Sequence, residues 1–190
     1  ISAGSPALII DVRSVNTGLI SVAAEMIDKF AGSGDILYVE YSNGTTEVLY
    51  TSSSRNTVIP VVVITNEITS GAAEFFAAGL RDFEIAHIVG TQTAGYGSLQ
   101  ETYKLDDGSA IQLTVGKYYL ANSKTAWEGT GITPDHVVAF DYTTLNFTDL
   151  SMLDTDMDLQ LSKAIEIASS SVTSENQDVE ENTEENTSEG

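Results

Sequence analysis

Apolar and polar positions fall into blocks whose period switches between the two-residue repeat of a strand and the 3.6-residue repeat of a helix. Val58 to Ile64 is an apolar run with the length and β-branched content of a buried strand. Ala7 to Val12 (ALIIDV) and Ile85 to Val89 predict two more. From Leu19 to Phe30 the apolar residues Leu19, Val22, Ala23, Met26, Ile27 and Phe30 recur along one helical face. A second helix is predicted over roughly Gly71 to Phe83. A third, near Asp156 to Ala168, lines up Leu159, Leu161, Ala164, Ile165 and Ala168. Two hairpins interrupt the helices. Ile36–Tyr41 and Glu47–Tyr50 flank an Asn43-Gly44 turn, and Thr102–Leu105 and Ala110–Val115 flank Asp106-Asp107-Gly108-Ser109. Lys117–Leu120 and Val137–Phe140 complete the strands. Strands, hairpins and long helices interleave without clean βαβ alternation, which predicts an α/β fold of short ββα units.

Length and composition bound the picture. The chain has 190 residues, enough for one domain with a sizeable core. The expected domain covers residues 1–168. From Ser169 the composition collapses to Ser, Thr, Asn, Gln and Glu, the signature of a disordered acidic tail over 169–190. With 28 acidic and 8 basic residues the formal charge is −20, which argues against nucleic acid as a partner. No apolar run is long enough to insert in a membrane. The absence of cysteine removes disulfide and thiolate chemistry. A first residue other than Met marks the chain as a segment or processed form of something longer.

The chemistry-bearing stretch runs from Val61 to Gln100. A buried strand, a polar turn (Thr65 to Ser70), a helix start and the loop GTQTAGYGSLQ converge there, the anatomy of an acyl-transfer site. Gly90, Gly95 and Gly97 invite a phosphate-loop reading. The stretch lacks the Lys-Ser/Thr ending and lies between strands, so tight turns account for it better. His87 and His136 lack acidic partners at ligand spacing, so no metal is expected, and His87 is expected to be structural. Asp154, Asp156 and Asp158 lack the glycine and closing Glu of a calcium loop and fit helix capping instead. Ser70, at the helix start, suits a nucleophile but more commonly an N-cap.

These residues resemble the C-terminal processing (tail-specific) serine peptidases. The resemblance rests on LIIDVR (Leu8–Arg13), on ITNEITSGAAEFFAAGL (Ile64–Leu80), on IVGTQTAGYGSLQ (Ile88–Gln100), on the hairpin from Leu105 to Thr114 and on GITPD (Gly131–Asp135). It spans about Ala7 to Ala168. It implies a ClpP/crotonase-like core of ββα units, with the first part of the family domain and any PDZ-like domain outside this chain. It also implies an extracytoplasmic setting, peptides or unfolded protein C-terminal segments as partners, and no cofactor.

The family's chemistry is a serine activated by a lysine, with a glutamine orienting the lysine and backbone amides holding the oxyanion. Anchored on Glu74, the nucleophile position falls on Gly71. Anchored on Val89-Gly90 and Gly97, the lysine falls on Tyr96. Gln100 keeps the orienting position. The oxyanion donors fall on the amide of Ala72 and near Thr17-Gly18. With both proton-transfer groups replaced, the resemblance implies a peptidase domain without catalysis. Two alternatives are an active enzyme using Ser70 and a purely structural or assembly domain. A one-residue shift at a helix start turns a side chain by about 100°, which would aim Ser70 away from the old pocket.

Overall fold

The structure is a computed structural model and describes residues 6–53, 59–140 and 157–172. Its strands form two sheets. The first is parallel, in the order β1 (Leu8–Asp11), β4 (Val61–Thr65), β5 (Ala86–Gly90) and β8 (His136–Val137). The second is antiparallel, in the order β3 (Thr46–Ser52), β2 (Gly34–Tyr41), β7 (Ala110–Leu120) and β6 (Ser98–Lys104). Helices α1 (Ile20–Asp28) and α2 (Ala72–Asp82) lie between the sheets. A third helix, α3 (residues 159–172), covers the far face of the parallel sheet.

The uninterrupted apolar run of β4 follows from this layering. All five of its residues are buried because both faces are covered. Val61 and Val63 point into the main core with Ile27, Phe75 and Leu80. Val62 and Ile64 point the other way, onto Ala164, Ile167 and Ala168 of α3. The α/β class with ββα units is thus observed. The predicted strand pieces 110–115 and 117–120 are one strand, β7, because Gly116 packs against β2 without a break. The third helix starts later than its periodicity suggested, since Asp158 caps it: its carboxylate accepts the Leu161 amide at 3.0 Å. Asp154, Asp156 and the proposed tail from 173 onward lie outside the described residues, and residues 169–172 belong to α3. No helix among the described residues is long and apolar enough to cross a membrane.

The layering places three connections side by side at the C-terminal ends of β1, β4 and β5, where ligand sites of parallel sheets form. They are the loop after β1, the turn before α2 and the loop after β5.

Candidate active-site frame

Side chains and main chain knit these three connections together. The Asn66 side-chain oxygen accepts the amides of Ser14 (2.8 Å) and Thr69 (3.1 Å), tying the first loop to the turn before α2. The Thr69 hydroxyl donates to the Val12 carbonyl at 2.9 Å, and the Ser70 amide to that of Val15 at 3.0 Å. The Ala94 amide donates to the Thr69 carbonyl at 3.0 Å, fixing the third loop.

Gly71 is the N-cap of α2, with φ 60° and ψ −116°. That is a region side chains seldom adopt, although a Cβ built there would meet nothing within 4 Å. Space for a side chain exists, and the glycine leaves it empty. Ser70 is therefore not the capping residue, contrary to the commoner expectation for a serine at this spacing. The cap is supplied instead from the first turn by Glu74, whose carboxylate accepts the Gly71 amide at 2.9 Å. Ser70 is only 7% exposed, and its hydroxyl has no hydrogen-bond partner among the described residues, so no base is seated on it.

Glu74 organises the centre of the site. It is fully buried, and it also accepts the amides of Gly95 (2.7 Å) and Tyr96 (2.8 Å) and the hydroxyl of Thr93. Four donors on one buried carboxylate bind the loop after β5 to the start of α2. Beneath that loop lies Trp127, fully buried and stacked between Phe75 and Tyr118. Its indole N–H donates to the Tyr96 carbonyl at 3.3 Å. Gly97 passes so close to the indole that an added Cβ would sit 3.0 Å from it. The glycines of this stretch serve close packing rather than the tight turns expected of them: an added Cβ would lie 2.0 Å from the Thr65 carbonyl oxygen at Gly90 and 2.8 Å from the Gly131 nitrogen at Gly95.

Tyr96 is held by its main chain, while the residue as a whole is 68% exposed. Gln100 is exposed on β6, just after a register shift at Leu99/Gln100. Thr17 and Gly18 do come to the start of α2: a Cβ added at Gly18 would stand 3.2 Å from the Cβ of Ala72. Neither the Gly18 nor the Ala72 amide has an acceptor among the described residues. Directly beside them opens a cavity of about 200 Å³, lined by Ile10, Val12, Val15, Leu19, Val22, Met26 and Phe76 among others. Free amides at a helix N-terminus beside an apolar recess can hold a polarised carbonyl or carboxylate while an apolar side chain fills the recess. His87 and His136 take no part. They meet edge to face at 5.9 Å on the other side of β5, and His87 is exposed rather than packed as a core histidine. The described residues contain no group of three or more His, Cys, Asp or Glu able to hold a metal.

The roles of Glu74 and of the cavity were not foreseen. The signal for Glu74 was available: one carboxylate at the third position of an otherwise apolar helix, AAEFFAAGL, must find donors when that helix is buried. The cavity had no such signal. Leu19, Val22 and Met26 read as the core face of α1, yet they are exposed around its rim, while Ala23, Ala24 and Ile27 are buried.

The sequence model of peptidase family S41 matches residues 1–138. The carboxy-terminal processing protease CtpA of Bacillus subtilis is 36% identical over 122 residues, 64% of this chain and 26% of that protein. A carboxyl-terminal-processing protease of Synechocystis is 32% identical over 135 residues, 71% of this chain and 31% of that protein. Among solved structures, a photosystem II D1 C-terminal processing protease superposes with a TM-score of 0.66 at 28% identity, over 72% of this chain and 35% of that one. The chain thus spans about a third or less of the length of these curated relatives.

Proposed function

The chain belongs to peptidase family S41, and from that premise we propose that it is a non-catalytic member that binds peptides or unfolded protein segments. One observation carries the reading. The amides of Ala72 and Gly18 lack acceptors among the described residues and lie beside an apolar cavity, while Gly71, the position the resemblance gives the nucleophile, carries no side-chain oxygen. A segment lying across the site would present a main-chain carbonyl to the amides of Ala72 and Gly18. One apolar side chain would enter the recess beneath Leu19, Val22 and Met26. Tyr96 supplies no amine to accept a proton, so Gln100 has nothing of that kind to orient. The family's processing role supports an extracytoplasmic setting for the full protein.

The test is a pair of assays on the purified protein. A fluorescein-labelled unstructured peptide of Ala, Val and Ser should bind and survive intact, and Val22→Asp should abolish binding. Cleavage that disappears in Ser70→Ala, with fluorophosphonate labelling of Ser70, would overturn the reading in favour of an active enzyme. Failure of any such peptide to bind would leave a structural or assembly domain. Restoring both reagents with Gly71→Ser and Tyr96→Lys should confer cleavage of a disordered protein if the frame is as intact as its hydrogen bonds suggest.

A further inference from the structure

A second buried polar cluster lies behind the site and joins it to the end of the domain. Arg13 lies two residues past β1, at the start of the loop that carries Thr17 and Gly18. Its guanidinium is buried, donating from Nε and Nη2 to Asp11 and from Nη1 and Nη2 to both oxygens of Asp158, at 3.0 and 2.7 Å. Nη1 also donates to Gln160 at 3.2 Å. Asp158 and Gln160 are themselves buried and bound to other partners. Asp158 caps α3, and the Gln160 amide donates to the Val138 carbonyl at 2.8 Å. Burial alone would lower the Arg13 pKa, but the hydrogen bonds and charges of Asp11 and Asp158 more than offset this, and the net shift is upward.

The next residue, Ser14, sits in the left-handed region at φ 60°, which a serine keeps only when both sides of it are held. One hold is Asn66, which accepts the Ser14 amide. Thr69 and Ser70 fasten Val12 and Val15 on either side of Ser14, and Arg13, through which α3 reaches the loop, adds a further hold. Ser14 is followed within four residues by Gly18 against Ala72. Released from Arg13, the loop has a reason to relax out of that conformation.

We propose that α3 is a clamp on the binding site: docking of the helix, through Arg13 as a positioning residue, sets the loop over residues 13–18 and keeps the cavity beside Ala72 open in its binding shape. This rests on the peptide-binding reading for its consequence, but the coupling itself is independent of any ligand. Two variants release the helix by different routes. Arg13→Met removes the ionic link, and Ala164→Asp puts a charge against Val62, Ile64 and Val89 while leaving Arg13 in place. If either fails to fold, Asp158→Asn makes the same comparison more mildly.

The readout is amide hydrogen exchange on the full chain. Exchange in 159–172 and in 13–18 should rise together, by at least about ten-fold, while β7 stays as protected as before. A merely structural role would raise exchange everywhere. Release of α3 with 13–18 unchanged would overturn the proposal, as would an α3 that stays protected in all the variants. The labelled peptide is run in parallel. A wild-type protein that binds no peptide defeats the functional reading, and the exchange data still decide the clamp.

Discussion

The sharpest consequence of the site's construction concerns Glu74→Gln. The glutamine is isosteric, so packing is retained, but one of two acceptor oxygens becomes a donor. On the Oε2 side it would face the amides of Gly71 and Tyr96, neither of which can accept. On the Oε1 side it would face the Gly95 amide and the Thr93 hydroxyl. Thr93 is the only one of the four that can reverse its role, though its oxygen already receives the Ile132 amide at 2.7 Å. The cheaper orientation therefore points the new NH₂ at Thr93 and orphans the Gly95 amide. One unsatisfied buried N–H costs about 1–3 kcal/mol, and two remaining bonds weaken by roughly 1 kcal/mol each on losing charge assistance. The expected loss is about 3–5 kcal/mol, large beside the roughly 5–15 kcal/mol stability of a domain. Denaturant unfolding followed by Trp127 fluorescence measures it directly, because the indole lies under the loop that Glu74 holds. A loss below about 1 kcal/mol with an unchanged m-value would refute the fourfold acceptor role assigned to Glu74.

Other expectations are narrower. Gly71→Ala should cost about 1–3 kcal/mol from backbone strain alone, since the space is open. Gly90→Ala should be worse at the same unfolding assay, because its Cβ would lie 2.0 Å from the Thr65 carbonyl oxygen. Equal effects would contradict the geometry of both sites. Met26→Asp, at an exposed rim position, should weaken peptide binding by ten-fold or more while shifting the unfolding midpoint little. Asp28 has its pKa held down by hydrogen bonds first from the Ser53 amide and then from the Ser52 hydroxyl. A depressed acid stabilises above its ordinary pKa and loses that contribution as pH falls through the folded value. The joint between α1 and β3 should therefore loosen below about pH 4, and Asp28→Asn should remove that part of the pH dependence in exchange at Ser52 and Ser53.

Much of this molecule could be read without coordinates, and the reason is local. The apolar run of β4, the periodicity of α1 and the Asn43-Gly44 hairpin depend on near neighbours, so they show in the sequence. So did the absence of a side-chain oxygen at position 71 and of an amine at position 96, because composition alone decides which atoms are present. What the chain's order could not express is burial by distant partners. Leu19, Val22 and Met26 carry the same pattern as core residues, and only the placement of the first loop against α2 leaves them at the rim of a cavity. A serine and a glycine stand next to each other at the start of α2, and it took the carboxylate of Glu74, with its three other donors from the loop after β5, to make the glycine the cap. Arg13 and Asp158 are far apart in the chain, and their pairing exists only because α3 folds back over the parallel sheet. The sequence by itself determined which atoms stand at positions 71 and 96; tertiary structure decided how the loops around Gly71 are tied, to Glu74 on one side and through Arg13 to Asp158 at the start of α3 on the other.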